Sequence, residues 1–379
     1  MKIYRKSIGL LLIISSLTIV NAQPLQNRVL IATSQDGLNF QKSNIIFCDS
    51  ADVPDAVIGP SGSVYVFYQG LITPWIDGIK MAISSNGVNN WQYHQVIIPG
   101  TGNWPGKPCD PDVIVKGDTF RLYFTGDTIN DGTPETYSAI SIDGINFIRE
   151  NGVRFEVPNN PVLDPSLLWT GETLQYFAGG APQGFNWHAH STNGLTFIQQ
   201  PNFYVNNLMM ANGISINSGG YRFYGFSNNP NQPGIRSIYS IDGRNWTLDS
   251  GIRLQVDSLS LLEYLYVKDP AIVYKDSIHI MYYVTRKRTS AVEQFFIGSD
   301  IEPMKITPNP SRNIITTISP LLKNPDARLK IYNSLGKVIK EVRLSGRQES
   351  SIEISENGIF FVVLDVNGKK ITNKVIITN

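Results

Sequence analysis

The feature that most constrains this chain is a repeat. Cys109 to Gly126 reads CDPDVIVKGDTFRLYFTG: an aspartate beside a proline, a short β-branched run, a Gly-Asp turn and an aromatic strand. The pattern returns at Asp55 (PDAVIGPSGSVYVFYQG), Asp164 (LDPSLLWTGETLQYFAGG) and Asp269 (KDPAIVYKDSIHIMYYV), and in weaker form from Ala211 (ANGISINSGGYRFYGFS). Each copy is a β-hairpin signal. Between the copies runs a second unit: SQDGLNF from Ser34, SSNGVNNW from Ser84, SIDGINF from Ser141, STNGLTF from Ser191 and SIDGRNW from Ser240. Two interleaved motifs at a period of roughly fifty residues describe the blades of a β-propeller, since one such unit must stack on its neighbours to bury its faces. The predicted fold class is all-β.

The SxDG and SxNG units have a structural explanation. Asp-Gly and Asn-Gly supply the positive φ that two-residue hairpin turns need, and the Phe or Trp that follows packs back on the sheet. The first unit precedes the first aspartate strand, whereas the last aspartate strand has no unit after it. The N-terminal segment is therefore predicted to supply the outer strand of the last blade, closing the ring and removing exposed edges. The 32 Gly and 22 Pro, with only 17% charged residues, suit many short strands and tight turns. A net charge of +1 gives no field for nucleic acid or an acidic membrane.

Residues 1–22 have the form of a secretory signal: Lys2, Arg5 and Lys6, an apolar stretch from Ile8 to Val20, and a small-residue site at Val20-Asn21-Ala22. Export permits a disulfide between Cys48 and Cys109, which precede neighbouring aspartate strands, but two free thiols fit equally well. The expected domains are a propeller over 23–300 and, over 301–379, a small β-sandwich of alternating apolar runs.

The aspartates are harder to explain as architecture, because Asp is depleted in strands. Asp55, Asp110, Asp164 and Asp269 each open an innermost strand ahead of an aromatic pair, and Asp112 fits the offset of Asp55 as well as Asp110 does. Equivalent positions on innermost strands converge on the propeller axis. There they either form a carboxylate site, with pKa values split by mutual repulsion, or cap the turns into their strands. A buried cluster without a cationic neighbour would suit Ca²⁺. Trp75, Trp104, Trp169 and Trp187 either stack on sugar rings or pack beneath loops. His188 and His190 share one strand face with no third ligand nearby, and are expected to be structural.

These residues resemble the five-bladed β-propeller glycoside hydrolases, family 43 and its relatives, over about residues 26–295. The resemblance implies that Asp55 is the general base that activates water and Asp164 the aspartate that tunes the acid; by its place in the repeat, Asp110 would contribute to the same site. Asp112, Asp269, Asn212, Trp104 and Trp187 would contact substrate. One departure stands out: where the family has a glutamate as general acid, this chain reads Met210-Ala211-Asn212-Gly213. Asp110, Asp112, Asp269 or the nearby Glu263 would have to replace it. The tail, with Pro308-Asn309-Pro310, Ile331 to Lys337, Gly358-Ile359-Phe360 and Lys374-Val375-Ile376, resembles a type IX secretion C-terminal sorting domain. The expectation is thus an exported monomer, secreted or held at the cell surface. It would hydrolyse poly- or oligosaccharide at the axis or, lacking the acid, bind glycan without catalysis.

Overall fold

The computed structural model describes residues 27–378 except 73–74, 105–106, 130–131, 183, 228–233, 258–259, 261, 288–303, 308–310, 319–321, 323, 325, 334–335, 344–348 and 367–368. The expected signal peptide and the Pro308-Asn309-Pro310 and Ser334-Leu335 parts of the tail motif lie outside the described residues.

Five four-stranded antiparallel sheets form the propeller. Blade 1 comprises β3 (Ala51–Ile58), β4 (Val64–Ile72), β5 (Trp75–Ser84) and β6 (Gln92–Gln95). Blade 2 comprises β7 (Cys109–Lys116), β8 (Thr119–Gly126), β9 (Glu135–Ser141) and β10 (Ile148–Arg149). Blade 3 comprises β11 (Leu163–Thr170), β12 (Thr173–Gly179), β13 (Phe185–Ser191) and β14 (Ile198–Tyr204). Blade 4 comprises β15 (Met209–Ser215), β16 (Tyr221–Phe226), β17 (Ile235–Ser240) and β18 (Thr247–Leu248). Blade 5 joins β19 (Tyr264–Lys275) and β20 (Ile278–Arg286) to β1 (Asn27–Ser34) and β2 (Gln41–Asp49) from the N-terminal end. β1 pairs with β20 from Asn27↔Arg286 to Ser34↔His279, so the N-terminal segment supplies two outer strands rather than one.

The consecutive aromatic pairs explain why the blades stack. Successive strand residues point to opposite faces, so one ring of each pair enters the interface with the preceding blade and the other the interface with the following blade. Phe67 packs with blade 2 and Tyr68 with blade 5; Phe124 packs with blade 1 and Tyr123 with blade 3. Tyr176 and Phe177, Phe223 and Tyr224, and Tyr283 and Tyr282 divide in the same way. Five hydrophobic clusters fill the five interfaces, including the one between blades 5 and 1. Each buried ring is worth about 1.5–3 kcal/mol over an exposed one.

The SxDG and SxNG turns join this packing. Ser Oγ accepts the glycine N–H in all five turns (Gly37, Gly87, Gly144, Gly194 and Gly243). Three of these glycines take a tyrosine hydroxyl from the preceding blade on their carbonyl: Tyr224 to Gly37 (2.9 Å), Tyr282 to Gly87 (2.6 Å) and Tyr123 to Gly194 (2.8 Å). Blades 1 and 3 carry Phe67 and Phe177 at the matching position and make no such bond.

The tail forms a separate unit. β21 (Lys305–Thr307), β22 (Ile314–Ile318) and β25 (Glu349–Glu353) make one sheet; β23 (Arg328–Asn333), β24 (Val338–Arg343), β26 (Gly358–Val366) and β27 (Lys369–Ile377) make the other. Ile315 and Ile352 from the first sheet share one core with Leu329, Ile331, Phe360, Val362 and Val375 from the second, which makes a β-sandwich.

Candidate active site at the propeller axis

Each innermost strand carries a β-bulge near its start, and the bulge fixes which repeat positions correspond. Pairing is interrupted between Asp52 and Asp55, Cys109 and Asp112, Leu163 and Ser166, Met210 and Asn212, and Lys268 and Ala271. Beyond the bulges, Asp55, Asp112, Ser166, Asn212 and Ala271 pair with Phe67, Tyr123, Phe177, Tyr224 and Tyr282 and so occupy one inner ring of equivalent positions. Within the bulges, Val53, Asp110, Asp164 and Asp269 have left-handed backbone, with φ of 40°, 49°, 50° and 44°, each just before a proline. Ala211 is the single bulge residue of blade 4.

This register corrects the equivalence drawn from sequence. Asp55 corresponds to Asp112, and the first-blade counterpart of Asp110, Asp164 and Asp269 is Val53. The signal lay in Val53-Pro54, which matches the three Asp-Pro pairs by its proline. Asp tolerates left-handed backbone through local hydrogen bonding, whereas a β-branched residue there is strained.

The inner ring is a set of rivets. Asp55, 2% exposed, accepts the Val113 N–H of blade 2 at 2.7 Å and the Asn212 Nδ2 of blade 4 at 2.8 Å. Asn212 Oδ1 accepts the Ile272 N–H of blade 5 at 2.9 Å, which fixes the orientation of its amide. Asp112 accepts the Leu167 N–H of blade 3 at 3.2 Å, and its other oxygen, like the Ser166 hydroxyl, is buried without a partner among the described residues. Burial pushes Asp55 up to about 6 against its hydrogen bonds, and raises Asp112 well above the usual carboxylate range, helped by the Asp55 charge. Both Asp55 oxygens are thus engaged away from solvent, a position suited to holding blades together rather than to activating water.

The bulge ring faces the mouth. Asp164 and Asp269 line a narrow cavity with Val53, Pro54, Pro111, Pro165, Met209, Met210, Ala211 and Phe226. Its free space of about 10 Å³ is room for about one water. Asp110 lies behind, accepting the Asp164 N–H at 3.5 Å. Burial raises Asp110, and burial with the Asp110 and Asp269 charges raises Asp164 well above the usual range. Asp269 rises only to about 6, because Lys268 Nζ sits 2.6 Å from its Oδ2. Lys268 also reaches Asp52 at 3.0 Å. Neither Lys268 nor Asp52 was singled out from sequence, although KDP differs from the CDP and LDP of the other blades.

Other candidates fall away from the mouth. Trp187 is buried and donates to Pro161 O at 2.9 Å. Trp104 packs on Tyr137 and Phe124 with Arg149 over its ring. Both serve packing, not an exposed sugar platform. Trp169 borders an open groove with Lys116 and Glu172, between the hairpin turns of blades 2 and 3. The side chain of Trp75 lies outside the described residues. Glu263 does not reach the rim: Lys42, the Tyr283 hydroxyl and the Asp257 N–H occupy its carboxylate. His188 stacks on Phe177 and meets Gln175 Oε1 at 3.2 Å; burial lowers it to about 4. Cys48 and Cys109 are free thiols. Among the described residues no group of three or more His, Cys, Asp or Glu is placed to hold a metal ion.

Comparison with known proteins gives one family match, in the tail, and likenesses to solved structures. Residues 305–378 match the secretion system C-terminal sorting domain family. The chain is accordingly a type IX secretion cargo, exported to the cell surface or extracellular space. The solved structures it is similar to are propeller glycoside hydrolases. A family 43 β-xylosidase/α-arabinofuranosidase from a compost microbial metagenome matches at 14% identity and TM-score 0.48, over 62% of this chain and 85% of that one. An α-L-arabinofuranosidase from Clostridium thermocellum matches at 15% and 0.48, over 77% and 93%. A family 117 glycoside hydrolase from Zobellia galactanivorans matches at 13% and 0.44, over 70% and 92%. No curated protein matches the sequence.

Proposed function

We propose that the exported protein hydrolyses glycosidic bonds of a poly- or oligosaccharide at the axial mouth, with Asp164 as general acid and Asp269 as general base. The observation that carries this is the unequal environment of two carboxylates lining one cavity, whose one-water space has to widen to admit a sugar ring. Asp164 is pushed well above the usual range by burial and neighbouring anions, while Lys268 holds Asp269 lower, at about 6. Environments that separate two titrating groups assign them as acid and base. In the proposed step, Asp269 takes a proton from water as its oxygen attacks the anomeric carbon. Asp164 gives its proton to the leaving oxygen as the glycosidic C–O bond breaks, with inversion when the two carboxyls stand roughly 6.5–9.5 Å apart.

The test is a hydrolysis screen of the full chain on arabinan, xylan and aryl glycosides, beside Asp164→Asn and Asp269→Asn. Loss of roughly 10²–10⁴ in rate in either variant supports the assignment. A second reading, a non-catalytic glycan-binding propeller, is favoured by one observation: Val53 and Ala211 leave two of the five bulge positions apolar. Glycan binding by a wild-type chain that hydrolyses none of these substrates would establish it instead.

A further inference from the structure

We infer that Lys268 is a positioning residue that keeps Asp269 anionic, and that it is held in place by the seam where the ring closes. The inference rests on Asp269 being the base. Three segments from distant parts of the chain meet at this lysine. Lys268 comes from β19 of blade 5, and its ammonium lies between Asp269 (2.6 Å) and Asp52 (3.0 Å) at the start of blade 1. Asp52 is anchored in turn by Asn27 Nδ2 at 2.6 Å and by the Val53 N–H at 3.1 Å. Asn27 is the first residue of β1, the N-terminal strand that completes blade 5, and its Oδ1 accepts the Tyr266 hydroxyl at 2.7 Å. The Tyr266 ring lies beneath the ammonium, with its centroid 6.0 Å away.

The energetics make the cation necessary. A carboxylate that is 4% exposed neutralises itself by taking a proton unless a charge partner is present. The groups facing Asp269 are Lys268, Asp52, Asp110, Asp164 and the Tyr266 phenol. Three are carboxyls, one a phenol and one basic. Among the described residues Asp269 is the one bulge aspartate with a cation in contact. Lys268 therefore decides which of the mouth carboxylates carries the negative charge, and the Tyr266–Asn27–Asp52 chain decides where Lys268 stands.

The experiment follows Asp carboxyl carbons by NMR titration of the full chain, beside pH–rate profiles on whichever substrate is cleaved. Lys268→Met is expected to move the Asp269 midpoint up by at least one pH unit. The acid limb of kcat/KM should move with it, about tenfold in rate per unit below the midpoint. Asp52→Asn, which removes a competing anion, is expected to move Asp269 the other way, and Lys268→Arg to restore it. Opposite shifts from neighbouring substitutions are not what loss of packing would give. An unchanged Asp269 midpoint in Lys268→Met, or shifts of the same sign in both variants, overturns the inference. If Lys268→Met does not fold, Asp52→Asn and Lys268→Arg still test the sign. A midpoint shift in a chain that cleaves nothing would sink the hydrolase reading while leaving the control of Asp269 intact.

Discussion

The propeller uses repeated aspartate at two ends of its blades, and the two sets meet opposite fates. In the turns, Asp36 and Asp143 each accept two backbone N–H groups and an asparagine amide. Slight burial pushes their pKa values up, but these hydrogen bonds prevail and hold both well below the usual range. At the axis, Asp110, Asp112 and Asp164 receive few donors and lie among other anions, so burial prevails and all three are raised. The same residue is held anionic in one place and drawn toward its protonated form in the other. What differs is how deeply it is buried and how many N–H groups are aimed at it. Asp55 is intermediate: it has donors like a turn aspartate yet burial enough to rise.

The sharpest contrast should come from rate. Asp164→Asn and Asp269→Asn are expected to abolish most turnover, whereas Asp143→Asn should leave kcat within about twofold, since no reacting atom lies near it; initial rates on one aryl glycoside decide this. Next comes stability. Asp55→Asn leaves an amide N–H facing either the Val113 N–H or Asn212 Nδ2, and Asn212 cannot flip without losing Ile272. The expected cost is about 1–3 kcal/mol by urea unfolding.

A third effect is the pH dependence of stability. Asp55 and Asp269 bind protons more tightly folded, at about 6, than at the usual value near 3.8. Their contribution is complete below the unfolded value and is lost as pH rises through about 6. His188, held at about 4, works the other way over the same window, so the test is a difference: the thermal midpoint of the wild type should lose ground to that of Asp55→Asn between pH 4 and 7. A gap between the two that stays constant or moves the other way would break the comparison. The smallest effect concerns Val53. Replacing it with Asn, which tolerates left-handed backbone, should raise stability by about 1 kcal/mol in the same urea experiment.

The blade count, the turn units and the sorting tail were legible because each is written as a repeat or an ordered motif. The aromatic pairs announced strands, although their division between two interfaces follows only from strand alternation. The site was less legible, for a specific reason. A bulge shifts register by residues that look ordinary in sequence, so Asp55 seemed to match Asp164 until ladder pairing set Val53 there. Offset from the aromatic pair misled, whereas the proline after the bulge residue would have given the register. Asn27, Asp52 and Lys268 lie on three different strands, and no local pattern joins residues whose contact depends on closure of the ring.

That closure also governs how the molecule can form. β1 hydrogen-bonds to β20, partners separated by roughly 250 residues of chain, so the last sheet is assembled from the first and final parts of the propeller to emerge. Loop closure of that length comes late in folding, after the intervening blades have shortened the path between the two ends. Whenever the N-terminal end is available first, β1 stays unpaired until β20 joins it, so the Asn27–Asp52–Lys268 contact is among the last to form.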